Sequence, residues 1–249
     1  MSSDVVIREL RKIEEFQQVH RLFDTIWRPD PGNPPITVEL LVGFAHTGNY
    51  VAGAFEGDTL VGASVGFLAA GGALHSHVTG AAVTGRGVGY ALKSHQRAWC
   101  LERGLERITW TFDPLVRRNA HFNLVKLGAM PEEYLEDFYG VMSDAINVGD
   151  SSDRLLAVWR IAEERRPIEE TEFFPALSED ADGWPDEETA AEDRMLVATP
   201  SDVEWLRRHD PEVARAWRRA VRDVLGGAMK AGGRVVGFTG RGEYMVILN

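Results

Sequence analysis

A strand, a glycine-rich turn and a helix succeed one another between residues 74 and 103, and this succession constrains the fold more than any other part of the chain. The apolar strand ends at Val83, and the turn over residues 84–89 reads TGRGVG. Because glycine has no side chain, alternate glycines let the main chain come close to a ligand. A turn that opens a helix also directs free backbone N–H groups and the positive end of the helix dipole toward an anion. The pattern predicts a pyrophosphate-binding turn at the start of a helix from about Gly87 to Arg103.

Known phosphate-binding motifs fit this turn to different degrees. A P-loop requires GxxxxGK[ST], a string that does not occur in the chain. A dinucleotide-binding fingerprint requires G-x-G-x-x-G, but the sixth position counted from Gly85 is Tyr90. That fingerprint also expects an acidic residue at the end of the next strand, where Asp113 fits only loosely. A dinucleotide-binding oxidoreductase is therefore a weaker alternative, which binding of NAD would support.

The block from Leu74 to Ala129 resembles the GCN5-related N-acetyltransferases, the GNAT superfamily. The acetyl-CoA motif of that family, (Arg/Gln)-x-x-Gly-x-(Gly/Ala), is similar to the turn here, with Gly87 and Gly89 as its glycine pair. A second family motif, N-A-x-x-L-Y-x-K-L-G-F, is similar to the segment over residues 119–129. The motifs keep the family's order, and the resemblance covers roughly residues 4 to 160. The chain is identified as an atypical member with an additional C-terminal region.

This resemblance implies an α/β (α+β) fold, in which a mixed, mainly antiparallel sheet is flanked by helices. It also implies that the fourth and fifth strands splay apart and hold the pantetheine arm of CoA in the wedge between them. Apolar patterning and turn residues predict the same order of elements. Strands are predicted at 5–7, 50–55, 60–68, 74–83 and 108–112, and helices at 12–27, 37–45 and 87–103, with a further helix that ends at 128.

The chain beyond the resemblance divides by composition. The middle segment is acidic and proline-punctuated without a sustained apolar period, which is typical of a linker. Order returns at Met195, and the end of the chain reads as strand, helix, strand, strand. So short a unit is marginal alone, so we expect it to dock on the first domain as a small α/β extension. The predicted regions are a GNAT-like acyl-CoA-binding domain at 1–160, an acidic linker or arm at 161–194, and a βαββ unit at 195–249.

Composition excludes several classes of protein. The net charge of −11 argues against a nucleic-acid partner. The single cysteine, Cys100, excludes an internal disulfide framework and suits a reducing compartment. The N-terminus has no basic-then-apolar signal pattern, and no apolar run approaches the length of a membrane span. We therefore expect a soluble, cytoplasmic protein without a membrane partner.

The glycine turn and the second family motif supply the candidate residues for the cofactor, acetyl-CoA or another acyl-CoA. Main-chain N–H groups of the turn are predicted to hold the pyrophosphate, although Thr84 stands where the family has Arg or Gln. Arg118, with Arg117 beside it, could meet the ribose 3′-phosphate or could be ordinary solvated charge. Asn119 matches a family position that often contacts the cofactor, with a helix N-cap as its alternative. The candidates are Ala82, Val83, Thr84, Gly85, Arg86, Gly87, Val88, Gly89, Arg118 and Asn119.

Two histidines are the candidates for the general base. His75 and His77 alternate on a strand, so their side chains share one face of the sheet. Histidine titrates near neutral pH and can accept the proton of an amine. The pair also looks like the paired histidines of the aralkylamine N-acetyltransferases. Hydrogen bonding beside the core is the alternative, and a pair without a third ligand does not indicate a metal site.

The general acid of the family has no counterpart at its usual position. A tyrosine before the K-L-G-F string commonly protonates the departing thiolate, and that position is Leu124 here. Tyr139 is the candidate substitute, with Tyr134 as another. Unassisted departure is also reasonable, because a thiol pKa near 8.5 makes the thiolate a tolerable leaving group.

These observations predict a CoA-dependent N-acyltransferase, most simply an N-acetyltransferase, that works by direct attack of an amine on the thioester. The acceptor would be a small-molecule amine or an amino acid, and succinyl or longer acyl donors stay open. The alternative is a non-catalytic acyl-CoA-binding or regulatory module. No metal cofactor is expected, and a homodimer is left open.

Overall fold

The computed structural model describes residues 5–29, 32–83, 85–140, 151–163, 173–188 and 193–248. The chain forms two compact units. The first comprises Met1–Trp110 with Arg160–Ala162, and the second comprises Thr111–Trp159 with Glu163–Asn249. The division thus falls at residue 110, whereas the sequence-based limit of the first domain is residue 160.

The first unit is a twisted sheet with helices on both faces, and it confirms the predicted class of fold. Strands β1 to β4 are antiparallel neighbours in chain order, and β5 lies parallel to β4. Its elements are β1 (Val6–Glu9), α1 (Ile13–Trp27), α2 (Val38–His46), β2 (Tyr50–Glu56), β3 (Thr59–Ala69), β4 (Ala73–Ala81), α3 (Val88–Glu102) and β5 (Arg107–Phe112), whose last two residues belong to the second unit.

Alternation along the strands divides the apolar core of this unit between the two faces of the sheet. On one face, α1 buries Phe16 and Phe23 at helical spacing against a cluster that includes Val51. On the other face, Leu92 of α3 packs with Ala54. The sheet is therefore covered on both sides, as a mixed sheet with helical crossovers requires.

One glycine of β4 is required by close packing. A Cβ atom on Gly80 would lie 2.5 Å from Cη2 of Trp27, in α1. A larger residue fits there only if the side chains of Trp27 and Ile26 move, so Gly80 allows these side chains of α1 to pack directly on the strand that leads into the glycine turn.

The second unit contains a strand pair, a five-stranded sheet and four helices among its described residues. In the sheet the strand order is β11-β12-β10-β8-β9, with β8 parallel to β10 and the other pairs antiparallel. The elements are α4 (Arg117–Ala120), continued by π-helical turns at His121–Leu127, β6 (Met130–Leu135), β7 (Arg154–Arg160), whose last residue belongs to the first unit, β8 (Phe174–Glu179), β9 (Pro185–Glu187), β10 (Arg194–Ala198), α5 (Val203–His209), α6 (Pro211–Val221), continued by π-helical turns at Arg222–Gly226, α7 (Gly227–Lys230), β11 (Arg234–Phe238) and β12 (Glu243–Ile247).

The segment predicted as an acidic linker differs from that prediction where it is described. It contributes β8 and β9 to the second sheet, and Phe173 packs with Leu196 and Met245. Parallel pairing with β10 supplies partners for backbone groups that the acidic sequence alone could not order. Residues 164–172 and 189–192 of the segment lie outside the described residues.

A buried ion cluster joins the C-terminal helices of the second unit to the residue that follows β5. Asp113 accepts two hydrogen bonds from Arg218, at 3.0 and 2.9 Å, and one from Arg207 at 2.5 Å. Burial alone would raise the pKa of this carboxyl, but Arg218 and Arg207 outweigh burial and hold the pKa of Asp113 well below its ordinary value. Asp113, which fits the acidic position of the dinucleotide-binding fingerprint only loosely, therefore has a structural role.

The cluster predicts a large loss of stability in Asp113→Asn. Neutralising one member of a buried ion cluster leaves uncompensated charge, which costs about 3–5 kcal/mol. The carboxylate stabilises the fold fully above its unfolded-state pKa of 3.8, and this contribution is lost as the pH falls below that value. Urea unfolding of the variant, with exposed Asp182→Asn as the control, measures the difference. Equal midpoints for the two variants would contradict the role given to Asp113.

Candidate functional site

The glycine turn leaves open space at the start of α3. Gly85 and Gly87 have φ angles of 81° and 77°, a region that residues with side chains rarely adopt. Gly89 lies in the first turn of the helix, where backbone conformation does not require glycine. A Cβ atom on any of the three would meet no described atom within 4 Å. The turn thus presents an unobstructed helix N-terminus, the geometry that favours an anion.

The other residues of the turn are placed as follows. Val83 and Arg86 are exposed, and the Arg86 guanidinium pairs with Glu56 at 2.7 Å. The N–H of Ala82 donates to the carbonyl of Val61 at 2.9 Å, so this group already belongs to the sheet. Thr84 lies outside the described residues. Backbone groups after the sheet, rather than Ala82, are therefore the ones available to a ligand.

Strands β4 and β5 form a fork. They pair in parallel from Ala73 with Arg107 to His75 with Thr109, whereas β4 itself continues to Ala81. The first positions beyond the paired stretch are Ser76 on β4 and Trp110 on β5. The structure thus contains the parting of strands that the family resemblance implies, and the glycine turn follows the longer arm of the fork.

The two candidate histidines lie beside this fork on one face of β4. The ring of Phe67 contacts both, with centroid distances of 5.1 Å to His75 and 6.0 Å to His77. His77 is the extra residue of a β-bulge, because Val65 faces Val78 and Gly66 faces Ser76.

Hydrogen bonds hold both imidazole rings. Nδ1 of His75 lies 3.1 Å from Oγ1 of Thr109, and Nε2 of His77 donates to the carbonyl of Pro35 at 3.2 Å. Burial, followed by the charges of His77 and Lys93, lowers the pKa of His75. His75 is consequently neutral near pH 7, the state in which an imidazole can accept a proton.

A buried polar network lies on the opposite face of β4, beneath α3. The Nζ of Lys93 donates to Oγ of Ser76 at 2.8 Å and to Oε1 of Gln96 at 3.3 Å. Gln96 donates in turn to Ser64 at 3.2 Å, and Ser64 lies 2.7 Å from Oγ1 of Thr79. The sequence pattern does not predict this network, although Leu92, Gln96 and Trp99 mark a buried face of α3 on which Lys93 also lies.

Arg118 and Asn119, the candidates from the second family motif, are exposed on α4 in the second unit. Arg118 forms a bidentate ion pair with Glu204, with one distance of 2.7 Å, and Arg117 bonds to Thr199. The helix begins at Arg117, and the N–H of Asn119 donates to the carbonyl of Val116 at 2.9 Å. The N-cap alternative for Asn119 is therefore wrong, since Val116 occupies that position.

The tyrosines weighed as substitutes for the missing acid differ in exposure. Tyr139 is half exposed, and its hydroxyl lies 3.0 Å from Oγ1 of Thr111. Tyr134 donates to Asp153 at 2.8 Å, and burial together with that carboxylate raises its pKa far above the ordinary value. Leu124 is buried. Of the two tyrosines, Tyr139 alone keeps an exposed ring.

The described residues contain no group of His, Cys, Asp and Glu side chains that could hold a metal ion. None of the helices described is both long enough and apolar enough to span a membrane.

No protein-family model and no curated protein matches the chain by sequence. Solved structures do match it. A candidate acetyltransferase of the GNAT family from Desulfovibrio desulfuricans is 16% identical, with a TM-score of 0.53 over 64% of this chain and 99% of the other. Aminoglycoside 6′-acetyltransferase type Ii is 18% identical, with a TM-score of 0.51 over 65% and 99% of the two chains.

An N-acetyltransferase from Staphylococcus aureus Mu50 is also similar, at 12% identity and a TM-score of 0.50 over 64% of this chain and 99% of the other. These structures are matched almost completely, whereas roughly a third of the present chain extends beyond them. At such low identity the likeness establishes architecture rather than substrate. The chain has the fold of the GNAT-family acetyltransferases.

Proposed function

We propose that the protein is a CoA-dependent N-acyltransferase that moves an acyl group, most simply acetyl, from acyl-CoA to the amine of a small molecule or an amino acid. The observation that carries the proposal is the open glycine turn at the start of α3, placed at the end of a forked strand. Three glycines leave room for a phosphate where unpaired helical N–H groups converge.

In this proposal the pyrophosphate of CoA binds the backbone from Gly85 to Gly89, and the pantetheine arm lies in the fork between β4 and β5. Arg86 adds charge beside a phosphate while Glu56 holds its guanidinium in place. The roles given to Arg118, Asn119 and Tyr139 stay predictions from the family resemblance. For Arg118, the pairing with Glu204 would compete with a phosphate.

The proposed reaction is direct attack. The acceptor nitrogen forms a bond to the thioester carbon, the C–S bond breaks, and sulfur departs with the bonding electrons. His75 or His77 accepts the proton of the amine, directly or through water. The lowered pKa of His75 supports this role, because the imidazole is then unprotonated at neutral pH.

Two observations support a small amine as the acceptor. A solved structure similar to this chain is by name an aminoglycoside 6′-acetyltransferase. The aromatic ring of Phe67 beside both histidines suits a small, partly apolar amine. We place the reaction in the cytoplasm, consistent with a single, buried cysteine.

A non-catalytic acyl-CoA-binding module is the second candidate, and Leu124 in place of the family's tyrosine favours it. Thiol release separates the two functions. An enzyme liberates CoA when acetyl-CoA and an accepted amine are mixed, whereas a binding module holds acyl-CoA without turnover.

Gly87→Glu should abolish binding of acetyl-CoA. A carboxylate at the helix start would face the pyrophosphate, and like charges in contact cost several kcal/mol, so we expect affinity to fall more than about 100-fold. Gly104→Glu is the matched control, because Gly104 also has a positive φ, of 66°, and open space around it. Calorimetric titration of both variants measures the effect. Equal affinities would show that the turn is only structural.

Replacement of the histidines should lower turnover without weakening cofactor binding. Loss of a general base typically costs about 10²–10⁴-fold in rate, so we expect kcat to fall by this order in His75→Gln or in His77→Gln. In the wild type, kcat should decline on the acid side only below pH 6.5, because the pKa of His75 is lowered from that value. A double variant that keeps wild-type kcat would assign the proton to water instead.

A further inference from the structure

Lys93 occupies an unusual place in the first unit. Its ammonium group contacts the two residues that directly follow the paired stretch of the fork, one on each strand. Nζ donates to Ser76 on β4 at 2.8 Å and lies 3.8 Å from the ring centroid of Trp110 on β5. Lys93 therefore bridges the apex of the fork on the α3 face, opposite the face that carries His75.

The environment accommodates this charge without a counter-ion. Only 4% of Lys93 is exposed, and its ammonium group contacts the Ser76 hydroxyl, the Gln96 carbonyl oxygen and the π face of Trp110. None of the carboxylates in the described chain forms an ion pair with it. Burying an ammonium in this way destabilises the charged form, so selection for packing alone would favour an apolar residue at this position.

Burial accordingly lowers the pKa of Lys93 to about 7, opposed only in small part by Cys100. The titratable groups that interact with it electrostatically are Cys100 on its own helix and, on the other face of β4, His75. On β3 and β5 the facing groups are the Ser64 hydroxyl, reached through Gln96, and the Trp110 ring. An amine that titrates near neutral pH can release a proton within a catalytic cycle, which an ordinary surface lysine cannot do readily.

We propose that Lys93 is the general acid of the acyl transfer and protonates the CoA thiolate as it leaves at the apex of the fork. The inference rests on the proposed function. It assigns to Lys93 the acid role that a tyrosine commonly has in the family, since the position of that tyrosine is Leu124 here. Ser76, whose hydroxyl accepts from Lys93, is the positioning residue that directs the ammonium toward the strand edge.

The step is balanced. The acceptor nitrogen attacks the thioester carbon, the resulting intermediate collapses, and the C–S bond breaks with its electron pair on sulfur. One proton passes from Lys93 Nζ to sulfur, which leaves a neutral amine and CoA thiol. His75 or His77 removes one proton from the acceptor amine, and a proton from solvent then restores the ammonium form of Lys93. A donor of pKa about 7 transfers its proton downhill to a thiolate whose conjugate acid has a pKa of about 8.5.

The position of Lys93 also affects the pKa of His75, the candidate base. Protonated Lys93 contributes to the lowered pKa of His75, so the charge on one face of the strand helps to keep the imidazole on the other face neutral. Acid and base thereby hold opposite protonation states at one pH, the condition for assisting attack and departure in a single encounter.

The test compares Lys93→Met with the wild type, with Lys230→Met as an exposed control. Methionine preserves length and removes the charge, and calorimetric titration with acetyl-CoA reports whether the variant is folded. We expect affinity within about threefold of the wild type and kcat lower by about 10²–10⁴-fold. In the wild type kcat should fall as the pH rises through about 7, the pKa of Lys93, and this alkaline limb should be absent from the variant.

A second variant, Ser76→Ala, and a second ligand, desulfo-CoA, distinguish an acid role of Lys93 from a purely structural role. Ser76→Ala should shift the alkaline limb and lower kcat less than Lys93→Met does. Wild-type protein should bind CoA more tightly than desulfo-CoA, which lacks the sulfur, and Lys93→Met should lose this preference because it lacks the thiolate's partner.

Several results would overturn the proposal. Turnover of Lys93→Met within threefold of the wild type, or a lower turnover with the alkaline limb unchanged, would remove Lys93 from the chemistry and leave the proposed function standing. An acetyl group found on Lys93 by peptide mass spectrometry during turnover would show that its amine attacks the thioester rather than protonating the thiolate. Failure of the wild type to bind acyl-CoA or to release thiol with any amine would end the proposed function and this inference together.

Discussion

Early parting of two parallel strands is the constraint on which the candidate site depends. The pairing of β4 with β5 ends at His75 and Thr109, and backbone and side-chain groups beyond that point need other partners. On its other edge, β4 stays paired with β3 as far as Ala81. On the α3 face, the hydroxyls of Ser76 and Thr79 join a hydrogen-bonded network instead of an apolar core. The fork is thus stabilised by β3 along one edge of β4 and by the polar network on the face that α3 covers.

Buried charges supplement the apolar core of the second unit, to which α6 contributes Trp217 and Val221. Asp113 binds both α5 and α6, and Asp153 binds Arg222 in the turns that continue α6. Asp113 directly follows β5, and Asp153 directly precedes β7. The C-terminal helices are therefore bound to the ends of two strands. A hydrogen bond between uncharged groups adds to these ion pairs, because the hydroxyl of Tyr244 donates to the carbonyl of Pro114 at 2.8 Å. Displacing either helix would leave a buried charge unpaired, which opposes such a movement.

Sequence patterns predict well those parts of the chain in which a single residue type meets a local requirement. Gly85 and Gly87 lie in the turn that their spacing predicted, and the strands and helices of the first unit lie within a few residues of their predicted limits. Strands β8 and β9 were not predicted, because their order comes from pairing with β10 and not from their own acidic sequence. Pairing between segments that are distant in the sequence is difficult to predict from the residues of either segment alone.

Lys93 shows the other limit of sequence reasoning. A lysine in a helix of mixed polarity predicts solvent exposure, and only the surrounding sheet reveals that this one faces inward. Its position one residue after buried Leu92 and three before buried Gln96 is compatible with burial, but the same spacing occurs in exposed helices. The second unit gives a parallel case, where Asp113 followed by proline reads as a turn and proves to be a buried anion.

The ion pair between Arg86 and Glu56 bears on how fast an anionic cofactor can reach the glycine turn. At long range the charge of Arg86 is offset by Glu56, and the chain as a whole carries a formal charge of −11. Under the proposed function, a polyanion such as CoA would be repelled at long range and attracted at contact, where the guanidinium and the backbone N–H groups act over short distances. Association should consequently accelerate as ionic strength rises, the reverse of the behaviour of phosphate sites built from unpaired arginines and lysines.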